Sequence, residues 1–384
     1  MRELYDKIYG DKIIWGIIIS LGLMSIPIIY VGTSHLVHAF KGGNYYYFVI
    51  KHLIILLIAF VIVYQTSKIK HGYLSRMSLV LMAMTIPLLL YTMFAGHSVS
   101  SAERWIKIPI LGLSFQTSDL AKLSLIIYLA RVLSKKQNQL GDIKEVIKYL
   151  FLPVILMCAL VVKSDFSTAA LIMGVCLLMM FFGGVKISHF VIVLGTLALV
   201  FVIMISILPE WFPRLETWKH RLYSFFMGAE DVEGNYQKYL AEASIWDGGP
   251  IGLWFSRSGG KFGQPPQAAS DFIYATIVRN YGIAGGLFTI VMYLLLMFRS
   301  IIIAKRSKKI FSTLLVVGLS SGMVLQAFSN MAVAVGIFPV TGQPLPMVSM
   351  GGTSLLFTAI SIGIILSVSR DVSSNSDLKA NAKP

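Results

Sequence analysis

Four places in this chain set ionisable side chains beside apolar runs, where a charge is costly unless something uses it. Lys51 and His52 open one such run. In FQTSDLAKLSL, Asp119 and Lys122 stand one helical turn apart, which puts them on one face. KSDFSTA brings Lys163 and Asp165 to a turn between two runs, and QAASDFIYATIVRN places Asp271 at the head of another. Carboxylates can accept protons or hold a divalent ion; Lys and Arg can take up the charge of a phosphate.

Each place also has an ordinary structural reading. Asp119 and Lys122 could be an ion pair that only fixes packing. Asp165 and Asp271 each precede an apolar run and could be helix N-caps, bonding free backbone N–H groups. Lys51 could reach along its own stem to the membrane interface. What favours chemistry is that all four fall on the same side of the topology derived next.

The chain is 56% hydrophobic and only 13% charged over 384 residues, with a mean hydropathy of +0.75. That excludes a soluble domain of this length and indicates an integral membrane protein. Runs of about 20 residues are needed to cross the hydrocarbon core. They fall near 13–32, 46–65, 77–95, 117–134, 149–163, 168–184, 188–208, 271–298, 310–335 and 353–369. The expected fold is therefore all-α and polytopic, with about ten transmembrane helices. Residues 1–370 form a single membrane domain, and 371–384 (DVSSNSDLKANAKP) a polar cytoplasmic tail without structure.

The net charge of +15 reads as topology, with no call for nucleic acid. With the N-terminus inside, the cytoplasmic segments collect 20 of the 33 Lys and Arg but only seven of the 18 acids. This is the positive-inside pattern, and it puts both termini in the cytoplasm. MRELYDKIYGDK is read as a retained tail, with no small-residue cleavage site after it. Cys158 and Cys176 lie inside apolar runs and read as small buried hydrophobes.

One large extracytoplasmic loop, about 210–270, is out of scale with the other connections. Its aromatic residues, among them Trp211, Trp218, Tyr236, Tyr239 and Trp246, argue for an ordered segment, part of it an amphipathic helix at headgroup depth. On the same side lies PVTGQPLPMVSMGGTSLL, residues 339–356, with three prolines and three glycines. Irregular backbone near membrane depth needs protein or a cavity to satisfy it. The stretch reads as a shaped loop over a cavity, with a tight connector as the plain alternative.

These segments, in this order, resemble the SEDS family (shape, elongation, division and sporulation). The resemblance covers nearly the whole chain. It is carried by ERWIKIPILGLSFQTSDLAKL, by SDFSTA more loosely, by RLYSFF and NYQ in the large loop, and by ASDFIYA. The most specific stretch is NMAVAVGIFPVTGQPLPMVSMGGTSLL. The short ends and the lead-in GDKIIWGIII look more like the division type (FtsW) than the elongation type (RodA).

The resemblance implies a peptidoglycan glycosyltransferase of the bacterial inner membrane, at the division septum, that polymerises lipid II. An elongation-type polymerase and a lipid II flippase are the alternatives. It implies Asp271 as general base, and Lys122, Arg221, Lys51, Trp105 and Gln237 as substrate-binding residues. Asp119 and Asp165 would orient the cations or hold a divalent ion such as Mg or Mn; no cofactor is otherwise implied. Asn330, Thr341, Gly342, Pro346, Ser349, Gly351 and Gly352 would wall the site. Implied partners are membrane lipids, a class B penicillin-binding protein carrying a transpeptidase, and other divisome membrane proteins. The chain departs from the pattern at Arg279 and Asn280, where the family has two acids. It departs again in GLWFSRSGGKFGQPPQ and at Lys163–Ser164.

Overall fold

A computed structural model describes residues 9–33, 46–95, 97–99, 102–108, 113–162, 165–207, 233–254, 263, 265 and 267–380. Helices occupy all ten positions marked by the apolar runs. They are α1 (Lys12–Gly32), α2 (Tyr46–Lys68), α3 (Gly72–Ala95), α4 (Thr117–Lys135) and α5 (Ile143–Val162), then α6 (Phe166–Phe182) and α7 (Ile187–Ile207). After a helix inside the large loop, α8 (Glu233–Gly248), come α9 (Ile273–Arg306), α10 (Ile310–Ala334) and α11 (Thr353–Ala380).

Seven of these, α1, α2, α3, α5, α9, α10 and α11, are long and apolar enough to cross a bilayer. The helix α4 carries Asp119, Lys122, Arg131 and Lys135 and so is less apolar, while α6 is short at 17 residues. Large apolar side chains such as Leu57, Val61, Leu79, Leu287 and Phe298 are exposed along the helices. Water would not tolerate so much bare hydrocarbon; lipid tails do. The chain is a multi-pass membrane protein.

Local chemistry sets the helix ends. Asp11 caps α1 by accepting from the N–H groups of Ile13 (2.9 Å) and Ile14 (3.1 Å), and it also pairs with Arg299. At the other end, Thr33 Oγ1 donates back to the Ile29 carbonyl at 2.7 Å. A π-helical turn, Ile147–Phe151, interrupts α5. The helix α9 breaks at Gly282, whose φ of 72° and ψ of −170° are not helical. Helix α11 runs past Arg370 to Ala380, into the stretch expected to lack structure. No Gly or Pro interrupts that stretch before Pro384.

One element was not anticipated. Between α3 and α4 the chain forms a three-stranded antiparallel sheet of β1 (His97–Val99), β2 (Ala102–Ile108) and β3 (Leu113–Gln116). Its register sets Trp105 opposite His97 on one side and Gln116 on the other.

The chain divides into two compact units, each assembled from separated segments. The first comprises residues 1–68, 220–300 and 323–373; the second comprises 69–219, 301–322 and 374–384. In the first, a Cβ at Gly32 would lie 3.2 Å from the Ala269 backbone, so α1 ends directly on the segment that leads into α9. Gly363 of α11 lies against Thr66 of α2, and Ser25 Oγ meets His52 Nε2 at 2.8 Å. In the second, Thr85 and Thr92 of α3 hydrogen-bond Ser124 and Thr117 of α4, while Gly318 lies against Met179 and Ile126.

Candidate active site

The first unit draws together two segments that the sequence singled out, 267–272 and 339–354. Asn330, on α10, joins them: its Nδ2 donates to the Asp271 carbonyl and to the Gln343 carbonyl, both at 2.8 Å. Ser349 adds a second bridge, donating to the Ser270 carbonyl at 2.7 Å and accepting from Leu345 N–H at 2.8 Å. A third is direct backbone contact, Met350 N–H to the Ala269 carbonyl at 2.9 Å.

Further bonds fix the loop from behind. Gln326 Nε2 donates to the Pro344 carbonyl at 2.9 Å, and the buried Tyr293 hydroxyl donates to the Pro346 carbonyl. Thr276 Oγ1 ties the first turn of α9 to the Ala268 carbonyl at 2.9 Å. Irregular backbone here is satisfied by side chains from α9 and α10, as a non-helical segment beside membrane helices requires.

Asp271, a half-buried residue, thus has its main chain held, and its Oδ2 lies near Gly342 of the shaped loop. A Cβ at Gly342 would lie 3.4 Å from Asp271 Oδ2, an ordinary contact, and Gly342 itself has φ +66°. The backbone angle suits glycine here. The adjacent Thr341 Oγ1 and the Asn330 Oδ1 are buried and have no hydrogen-bond partner within the protein. Buried polar atoms left in this state are what solvent or a ligand would satisfy. A carboxylate whose backbone is held in this way is suited to orienting a hydroxyl and taking its proton.

Pro346 belongs to this network through its carbonyl. Gly351 and Gly352 lead into α11, Gly351 N–H donating to the Ser349 carbonyl at 2.8 Å and Gly352 at φ +48°. Gln237 lies half-buried on α8. Lys51 is exposed on α2, while His52 turns inward to Ser25. Arg221, Lys163 and Ser164 lie outside the described residues, as do Trp211 and Trp218. Trp105 is placed in β2 by its backbone pairing.

In the second unit, Asp119 and Lys122 form the expected pair, Oδ1 to Nζ at 3.5 Å, in the first turn and a half of α4. Asp165 is the N-cap of α6, accepting from Thr168 N–H at 3.1 Å and Thr168 Oγ1 at 2.6 Å. Among the described residues no three His, Cys, Asp or Glu side chains gather, so no metal site is assigned.

Sequence reasoning missed Gln326, Tyr293 and Gln343. A signal was available for the first: Gln326 and Asn330 stand four apart in an apolar helix, hence on one face, where buried amides need partners.

The profile of the FtsW/RodA/SpoVE family, described as cell cycle protein, matches residues 12–374. A probable peptidoglycan glycosyltransferase FtsW of Idiomarina loihiensis is 29% identical over 377 residues, covering 96% of this chain and 88% of its own. Stage V sporulation protein E of Bacillus subtilis is 28% identical over 366 residues, 92% of this chain and 96% of its own. Among solved structures, a chain from work on the structural coordination of polymerization and crosslinking by a peptidoglycan synthase complex superposes with a TM-score of 0.72. It is 21% identical, covering 94% of this chain and 98% of that one. The rod shape determining protein RodA of Thermus thermophilus gives a TM-score of 0.64 at 20% identity, covering 94% and 97%.

Proposed function

The chain belongs to the FtsW/RodA/SpoVE family of cell cycle proteins, and from that premise we propose that it polymerises lipid II into peptidoglycan strands. Asp271 acts as the general base. The observation that carries the mechanism is the placement of that carboxylate, its backbone fixed by Asn330 and its tip against Gly342.

In the reaction, a sugar hydroxyl of the acceptor gives its proton to Asp271 as its oxygen bonds to the anomeric carbon of the donor. The bond from that carbon to the pyrophosphate oxygen breaks on the opposite face. The product is a β-1,4 linkage with inversion, and undecaprenyl pyrophosphate leaves. A hydroxyl is a weak nucleophile, so the base lowers the barrier only when held within hydrogen-bond reach. The rigid carbonyl contacts of Ser270 and Asp271 supply that fixity. Asn330 Oδ1, an acceptor, and the Thr341 hydroxyl, which can donate or accept, are both without partners inside the protein and would bond sugar hydroxyls once the loop admits them. By the family resemblance Lys122, Arg221 and Lys51 are assigned as cations for the departing pyrophosphate; within its own unit Lys122 is paired with Asp119.

The excess of Lys and Arg on alternate connections supports termini in the cytoplasm, with Asp271 and the large loop at the outer surface of the bacterial inner membrane. There a headgroup substrate reaches the base while its tail stays in lipid. The division-type relatives support a place at the septum, with a class B penicillin-binding protein as the crosslinking partner.

Purified protein with fluorescent lipid II tests the reading. Glycan strands form with the parent and are absent with Asp271→Ala. Strands from the Ala variant at the parental rate would refute the assignment, and lipid II crossing vesicle membranes without strands would favour the flippase.

A further inference from the structure

The break in α9 is filled by chain from the large loop. Bending at Gly282 leaves the last carbonyls before it, and the first N–H after it, without helical partners. Residues 249–254 take them up. Leu253 N–H donates to the Arg279 carbonyl at 2.9 Å, Trp254 N–H to the Asn280 carbonyl at 3.3 Å, and Ile283 N–H to the Gly249 carbonyl at 3.0 Å. The approach is so close that a Cβ at Gly248, Gly252 or Gly282 would sit 2.2–2.3 Å from a backbone oxygen. The Trp254 and Tyr281 rings meet edge to face, centroids 4.4 Å apart.

On this backbone junction sits a charged pair. Arg279 Nη2 lies 3.3 Å from Asp247 Oδ2, and the two side chains are only 9% and 4% exposed. Asp247 is in the last turn of α8, and Arg279 lies two turns beyond Asp271. Stability alone does not explain such a pair. Replacing both members of a buried ion pair together is often neutral, because attraction roughly cancels the cost of desolvation. In some proteins a buried pair instead selects one geometry out of several.

That geometry bears on the base. The stretch Ile273–Tyr281 is a half-helix with Asp271 just ahead of one end and the junction at the other. Its length is about 13 Å at 1.5 Å per residue, so a tilt of about 10° at the junction would shift the far end by about 2 Å. Misplacement on the order of 1 Å can cost 100-fold in rate. We propose that Arg279 and Asp247 are positioning residues of the transfer reaction, locking the half-helix that presents Asp271. The proposal rests on Asp271 being the base.

The test uses the full-length protein in proteoliposomes with fluorescent lipid II, comparing Asp247→Asn, Arg279→Gln, the double variant and Arg279→Lys. The double variant carries no buried lone charge, so it stays folded where a single variant could fail. We expect the neutral variants to lose on the order of 10-fold in kcat with KM within about 2-fold. The double loses no more than either single, because the pair acts as one unit. Arg279→Lys keeps the charge and recovers to within about 3-fold of the parent. A double variant with parental kcat overturns the proposal, as do losses that multiply or a double variant that does not fold. Asp271→Ala is run alongside. If it is inactive while the double variant is parental, only the positioning role falls; if it is active, the base assignment itself falls.

Discussion

Asp165 and Asp271 look alike in sequence: each is an acid just ahead of an apolar helix, preceded by serine. Their surroundings separate them. Asp165 is buried, and its carboxylate closes the start of its own helix through Thr168, three residues on. Asp271 is half-buried, and the contacts that fix its main chain come from Asn330, 59 residues away, and those of its neighbour Ser270 from Ser349, 79 away. A cap is built locally. A presented carboxylate is built by distant elements, and the difference shows in who holds the backbone.

Substitutions can break or sharpen that contrast. The largest effect is expected at Asp271→Ala, which should lower polymerisation by about 100-fold or more, the usual contribution of a general base. Asn330→Leu comes next. It strips the donor from two carbonyls, at about 1–3 kcal/mol each, and should cost on the order of 10-fold in kcat with a lower melting temperature. Gly342→Val forces a β-branched residue to φ +66° beside Oδ2. A several-fold loss of kcat is the expected result, with KM for lipid II changed less. Asp165→Ala should be smallest: loss of a cap costs about 1 kcal/mol, visible as a lower melting temperature, with activity per folded molecule kept within about 2-fold of the parent. Equal losses of kcat at Asp165 and Asp271 would erase the contrast.

Much of the fold was legible because a bilayer imposes a length and a composition. The ten helices occupy the ten apolar runs, and the turn-spaced Asp119 and Lys122 pair as their spacing dictates. The small sheet was less visible, though Ile106, Lys107 and Ile108 do alternate, because the strands are short and lie between strong helical signals. The break in α9 was hidden. Gly282 is one glycine in a run with Gly285 and Gly286, and only the chain at 249–254 makes it a junction. The site itself was legible as separate motifs, but its assembly was not. The bridges from Asn330 and Ser349 join segments that no periodicity connects. Arg279 stood out in the sequence as a departure from the family's acids; its reason is Asp247, 32 residues earlier.

The most direct test of the central claim is the rate of strand formation by Asp271→Asn. Asparagine caps a helix as well as aspartate does, yet it cannot take a proton. The account predicts a variant that melts like the parent and forms no strands above background, while Asp165→Asn polymerises at nearly the parental rate. A fully active Asp271→Asn protein would reduce that carboxylate to a cap and contradict the account.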